Sequence, residues 1–185
     1  MSDAIPWRVR STSELCTTRI FSVMTHTSAS PRTGREHEFH VLRCPDWVNV
    51  VPLTDSGEVV LVRQYRHGRR EVTLEIPGGM VDPEDSGPAQ AARRELEEET
   101  GWRAGEVVPI GTIAPNPAIQ SNLCHSFKAT GLRHVGRQRL DGTEEIEVTT
   151  APLERVPALI CEGKIVHSLV VVAFCFMLGL RPPPC

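Results

Sequence analysis

Paired cysteines are missing from this chain. Cys16, Cys44, Cys124, Cys161, Cys175 and Cys185 include no C-x-x-C spacing. Neither a zinc framework nor a disulfide framework is expected, and a reduced, cytoplasmic protein is the reading. A long hydrophobic run is missing too. Only Ile165 to Leu180 is strongly apolar, and His167 and Ser168 interrupt it. A membrane span needs about 20 apolar residues, so this stretch is expected to be a buried C-terminal helix. The N-terminus shows no basic-then-apolar signal pattern. An excess of positive charge is also absent. The net charge of −3 gives no reason to expect a nucleic acid held by bulk electrostatics. Aromatic residues make up only 5% of the chain, which draws attention to Trp7 and Phe39 near its start.

What remains is an ordinary composition, 40% hydrophobic and 23% charged, in 185 residues. That is enough for one domain with a real core. No internal repeat is visible, and the only low-complexity tract is Pro182-Pro183-Pro184. Residues 1–45 hold short alternating runs, Arg19 to Val23 and Glu38 to Leu42, with a turn signal at Pro31-Arg32-Thr33-Gly34 between them. A small antiparallel sheet is expected there. Residues 46–185 form the core region. Val48 to Leu53, Val59 to Tyr65, Val72 to Ile76, Val107 to Ile113, Cys124 to Thr130 and Glu145 to Thr150 read as strands. Helices are expected from Pro88 to Gly101, Pro152 to Glu162 and Lys164 to Leu180. Intermixed strands and helices with several hairpins imply an α/β (α+β) fold, a mixed sheet covered by helices.

The segment from Pro77 to Trp102 carries the chemistry. A glycine turn and a short loop lead into a helix bearing Arg94, Glu95, Glu98 and Glu99. Residues three and four apart are neighbours on a helix, so the three glutamates share one face, with only small Ala91 beside them. Ala89, Ala92 and Leu96 form an adjoining apolar stripe. Three clustered carboxylates repel one another, and a hard divalent cation would reverse the sign of that energy. A solvated acidic face is the plainer alternative. His37 and His40 fall on opposite sides of a strand and make no metal pair. His125 reads as a strand residue near the cleft rather than a ligand.

Arg94-Glu95-Leu96-Glu97-Glu98-Glu99-Thr100-Gly101-Trp102 matches R-E-U-x-E-E-x-G-U, where U is bulky and apolar. With Gly79 ahead of it, the chain resembles the Nudix hydrolases. The first half of the motif departs from that pattern. A gap of five residues after Gly79 leads to Asp85 rather than Glu, and one extra residue follows before Arg94. Either Asp85 or Glu84, with the loop redrawn, braces the loop. Val62-Arg63-Gln64-Tyr65-Arg66, then Leu74-Glu75-Ile76-Pro77-Gly78-Gly79, and Pro117 beyond the motif are similar to one branch of the family. That branch cleaves ADP-ribose and nucleoside diphosphate sugars. Asn122 stands where an acidic residue is frequent in it, and Ala118 where Gly is frequent. A range broader than ADP-ribose is therefore open.

The resemblance implies a Nudix-like α/β/α sandwich preceded by a small N-terminal antiparallel sheet, which serves dimerisation and base binding. It implies hydrolysis of a pyrophosphate bond, giving a nucleoside monophosphate and a sugar phosphate. Glu95 and Glu99 would be the main ligands of Mg²⁺, with Mn²⁺ as a substitute. Glu98 and the backbone carbonyl of Gly78 would share the metals, and Arg94 would orient the glutamates. A divalent metal clamps phosphate oxygens and helps to supply a hydroxide. The general base is expected from Asp141 to Glu147, as Glu144 or Glu145. Arg66 would contact phosphates and Glu75 would brace the metal site, unless the two form a structural ion pair. Trp7 and Phe39 would stack on the base, unless they only pack, and Pro117 would lie at the substrate. The partners expected are a small nucleotide sugar and a second copy of the chain, with neither nucleic acid nor membrane. One rival reading is a Nudix enzyme for nucleoside triphosphates, dinucleoside polyphosphates or RNA caps. Another is a non-catalytic module that senses a nucleotide sugar.

Overall fold

The computed structural model describes residues 5–179. The chain divides into two units, Met1–Pro45 with Ala114–Asn122, and Asp46–Ile113 with Leu123–Cys185.

The first unit is a three-stranded antiparallel sheet of β1 (Arg8–Thr17), β2 (Ser22–Ala29) and β3 (Glu36–Arg43), in that order. The turn expected at Pro31 to Gly34 links β2 and β3. Gly34 sits at φ 72 and donates its N–H to the Ser30 carbonyl at 2.9 Å. The strand expected at Arg19 to Val23 is mostly a turn instead. Thr18 Oγ1 accepts the Phe21 N–H at 3.1 Å and donates to the Phe21 carbonyl at 2.8 Å, so only Ser22 and Val23 enter β2. β1 was not foreseen, because all ten of its residues are exposed and it lacks a buried alternation. Residues 114–122 join this unit through Leu42, whose N–H reaches the Ile119 carbonyl at 2.7 Å and whose carbonyl accepts the Ser121 N–H at 3.1 Å.

The second unit contains β4 (Trp47–Pro52), β5 (Glu58–Arg66), β6 (Glu71–Glu75), β7 (Gly78–Met80), α1 (Pro88–Thr100), β8 (Trp102–Arg103), β9 (Glu106–Ile113), β10 (Cys124–Thr130), β11 (Arg133–His134), β12 (Ile146–Pro152), α2 (Val156–Cys161) and α3 (Ser168–Met177). One sheet has the order β7-β4-β10-β9 and is mixed, since β4 runs parallel to β10 and antiparallel to β7. A second, antiparallel sheet has the order β12-β5-β6. Side chains alternate across a strand, so β4 serves two cores. Val48 and Val50 pack with Ala91, Ala92 and Leu96 of α1. Val51 packs with Ile76 and with Val170 and Phe174 of α3. Burial on both faces explains why β4 reads as a nearly unbroken apolar run.

The helix α1 begins at Pro88, where a missing N–H costs nothing, and stops at Gly101. Gly101 has φ 71, and its N–H donates to the Glu97 carbonyl at 2.9 Å. Ala89 was expected on the apolar stripe but is exposed on the first turn, and Ala91 is buried in its place. The helix expected from Pro152 is a 3-10 turn, Leu153–Arg155, followed by α2. α3 is shorter than expected. Gly163 turns the chain at φ 69, and the N–H groups of Lys164 and Ile165 fold back onto the Leu159 carbonyl at 2.9 and 3.2 Å. Leu180, the three prolines and Cys185 lie outside the described residues. The other five cysteines are free. Among the described residues no helix is long and apolar enough to cross a membrane.

Candidate active site

Two glycines build the floor of the site. In the β4–β7 pairing Gly78 lies opposite Asn49, and Gly79 opposite Val48. A methyl group on Gly78 would strike the Val48 carbonyl, and one on Gly79 would strike the Glu95 carboxylate. Only glycine lets β7 lie this close to β4 on one side and α1 on the other.

The glutamates of α1 meet that floor. Glu99 is 3% exposed and accepts the Gly78 N–H on Oε2 at 3.1 Å. Glu95 lies against Gly79. Arg94 binds the cluster together. Its Nη1 donates to Glu95 Oε1 at 3.0 Å and to Glu98 Oε2 at 3.1 Å. Its Nη2 donates to the Met80 carbonyl at 2.9 Å and to Asp85 Oδ2 at 3.0 Å, and Nε reaches Asp85 Oδ1 at 3.3 Å. Asp82 stands 3.2 Å from the same guanidinium. Asp85 is therefore the loop brace, with 3% of its side chain exposed, while Glu84 is exposed. The extra residue is absorbed within the loop and leaves the helix register intact.

The electrostatics of this cluster favour a cation. Burial pushes Glu99 up to about 8; the charges of Glu95 and Glu144 raise it, while the Gly78 N–H and Arg66 pull it down. Burial pushes Glu95 up to about 7 against the pull of Arg94, with Glu98 and Glu144 adding to the rise. Two acids disfavoured as anions by burial and by each other would be relieved by a positive ion. The donors are all oxygens, which suits a hard divalent ion. Among the described residues no three His, Cys, Asp or Glu side chains are arranged to hold an ion alone. Arg94 holds one oxygen each of Glu95 and Glu98, and Gly78 holds one of Glu99. Substrate phosphates and waters fit as the remaining ligands.

Arg66 and Glu75 form a bidentate pair, Nε to Oε1 at 2.9 Å and Nη2 to Oε2 at 2.6 Å, and Thr73 Oγ1 donates to Oε1 at 2.6 Å. Burial raises the Glu75 pKa, but Arg66 and Thr73 outweigh it and leave the group below its usual value. Glu75 therefore positions Arg66, whose charge still acts on Glu99 and Glu144. Glu144 is exposed on the loop before β12, and Glu145 is exposed beside it. Trp7 and Phe39 touch edge to face, with ring centroids 5.2 Å apart, within the first unit. Pro117 belongs to that unit as well. His125 sits on β10, with Nε2 3.0 Å from Asp46 Oδ2 and Nδ1 3.2 Å from Thr112 Oγ1.

Residues 45–166 match the NUDIX domain family. The chain belongs to the Nudix family. This Nudix chain is 32% identical over 122 residues to the ADP-ribose pyrophosphatase of Bacillus subtilis (strain 168), covering 65% of each protein. It is 31% identical over 126 residues to the ADP-ribose pyrophosphatase of Mycobacterium tuberculosis (strain ATCC 25618 / H37Rv), covering 67% of this chain and 60% of the other. The alignments thus span just under two thirds of those relatives' own lengths. A solved structure described as ADP compounds hydrolase superposes with a TM-score of 0.85 at 21% identity, over 97% of this chain and 96% of that one. That likeness confirms the fold expected from the sequence.

The Nudix motif did not disclose two supports of the site. Gln138 Nε2 donates to the Glu99 carbonyl at 2.6 Å and to the Ile146 carbonyl at 3.0 Å. The Arg139 N–H donates to the Glu98 carbonyl at 2.8 Å. Together they fasten the loop carrying Glu144 to the end of α1, whose last carbonyls have no partner within the helix. No local sequence signal marks either residue, because the contacts cross about 40 positions of chain.

Proposed function

We propose that the protein hydrolyses the pyrophosphate bond of ADP-ribose or a related nucleoside diphosphate sugar, giving a nucleoside monophosphate and a sugar phosphate. The observation that carries this reading is the glutamate pair, buried Glu99 and half-buried Glu95, set against Gly78 and Gly79 with Arg66 acting on the same cluster. The names of the two pyrophosphatase relatives support the substrate class.

In this reading Glu95, Glu98, Glu99 and the Gly78 carbonyl hold Mg²⁺, for which Mn²⁺ substitutes. When bound, the metal neutralises phosphate charge and activates water. Arg94 keeps the glutamate oxygens in register through its four carboxylate contacts. Arg66, held by Glu75, offers charge to the substrate's phosphates. Glu144 is the base that takes the proton from the attacking water, since its charge already reaches Glu95 and Glu99. Glu145 is the alternative base. The first unit's sheet pairs two copies of the chain. A cytoplasmic location fits the free cysteines.

Product analysis with ADP-ribose, other nucleoside diphosphate sugars and nucleoside triphosphates, each with Mg²⁺ or Mn²⁺, tests this. Cleavage of the sugar compounds is expected. Turnover of triphosphates alone would favour the rival Nudix activity, and tight metal-dependent binding without cleavage would favour a sensing role.

A further inference from the structure

Among the described residues, four buried side-chain nitrogen or oxygen atoms have no hydrogen-bond partner. Two of them, Nδ2 of Asn49 and Nδ1 of His167, line the same cavity of about 420 Å³. The volume falls in the range of small-molecule sites, roughly 300–1,000 Å³. Arg66, Gly78 and Gly79 line it as well, so it shares a wall with the glutamate cradle. All these residues belong to the second unit.

Neither group is spent on the fold. Asn49 interrupts an apolar strand, between Val48 and Val50, and faces away from α1. A purely structural role there would be better filled by another Val. His167 directly precedes α3, yet its side chain makes no capping bond to the helix. Burial lowers its pKa; Glu75 opposes that shift and Arg66 adds to it. A neutral imidazole has one donor and one acceptor nitrogen.

We propose that Asn49 and His167 bind hydroxyl groups of the sugar carried by the substrate, so that this cavity selects glycosyl diphosphates over simple alkyl ones. The inference rests on the hydrolase reading above. A hydroxyl both donates and accepts, so it satisfies the Asn49 amide N–H and either tautomer of His167. A phosphate group would find less at these two side chains, because neither an amide nor a neutral imidazole carries charge and the imidazole supplies one donor at most. A site built to bond a hydroxyl rejects an analogue lacking it, since its own polar groups are then left unpaired.

The test compares kcat/KM for ADP-ribose with that for the methyl ester of ADP, which keeps the base and the pyrophosphate but has no terminal sugar. Wild type, Asn49→Ala and His167→Ala are measured alike. Wild type is expected to prefer ADP-ribose, and each variant to lower that preference by about tenfold, the effect of one hydrogen bond. His167 lies outside strand and helix, so His167→Ala decides the matter even if Asn49→Ala does not fold. A preference unchanged in the folded variants would overturn the proposal. So would a change in preference between ADP-ribose and GDP-ribose with the sugar preference intact, since that would assign the cavity to the base. If wild type cleaves both ADP compounds equally well, the inference fails and the hydrolase reading stands. If it cleaves neither of them, nor any other nucleoside diphosphate sugar, both fail.

Discussion

Burial and charge compete at Glu99. With 3% of the residue exposed, its carboxylate has lost most of its hydration and faces Glu95 across the same floor. In metal-free protein the folded state therefore holds protons that the unfolded chain releases. Glu95 titrates near 7 and Glu99 near 8, against 4.5 for an unperturbed Glu. Both folded values lie above the unfolded one, so the stabilisation from protonation is complete below the unfolded value. It is lost as pH rises towards the folded values. In a chelator, the thermal midpoint of wild type is expected to fall relative to Glu99→Gln between about pH 5 and about pH 8, and Mg²⁺ should recover it. Scanning fluorimetry of the two proteins checks this, and a constant difference across that window would contradict it. Gly79 makes a second residue-scale prediction. Gly79→Ala drives a methyl group into the Glu95 carboxylate. Displacing a ligand by about 1 Å costs roughly a hundredfold in rate. Steady-state kinetics with a stable melting curve would show that effect, and wild-type rates would remove Glu95 from the floor of the site.

Elements were legible where their ends carry local chemistry. Pro88 and Gly101 bracket α1, and both act through their own backbones. The loop between Gly79 and Arg94 was legible in part. The sequence left Asp85 and Glu84 as alternatives, and the reach of the Arg94 guanidinium decides between them. Other elements escaped for physical reasons. The turn after β1 is made by the Thr18 hydroxyl, which precedes the alternating run Arg19 to Val23 and folds back onto Phe21 within it. β7 spans only Gly78–Met80 and is defined by its pairing with β4. The loop before β12 depends on Gln138, whose amide ties it to α1. Gln138→Ala should therefore lower kcat by about tenfold while leaving the fold in place, part of what a positioned base contributes. A stopped assay and a circular dichroism spectrum suffice, and an unchanged kcat would show that the clamp does not position the base.

At the scale of the whole molecule, the motif named the family before any coordinates did, because a run from Arg94 to Trp102 fixes residue types on one helix face and at its end. The two units are not consecutive stretches of the sequence. Residues 114–122 return to the first unit through Leu42, a contact that local sequence does not announce. In that unit β1 is exposed along its whole length and presents Val9 and Leu15. An edge strand with a free row of backbone groups and two exposed apolar side chains suits an interface between copies. Light scattering is expected to report a dimer, and Leu15→Asp a shift towards monomer; a monomeric wild type would remove the pairing from the proposal.

The most direct test of the proposed chemistry is hydrolysis of ADP-ribose with Mg²⁺ by wild type and Glu99→Gln side by side. Wild type should release AMP and ribose phosphate, and the folded variant should be slower by on the order of a thousandfold, the scale of losing one preorganised electrostatic group. Equal rates for the two proteins would contradict the assignment of Glu99 to the reacting centre.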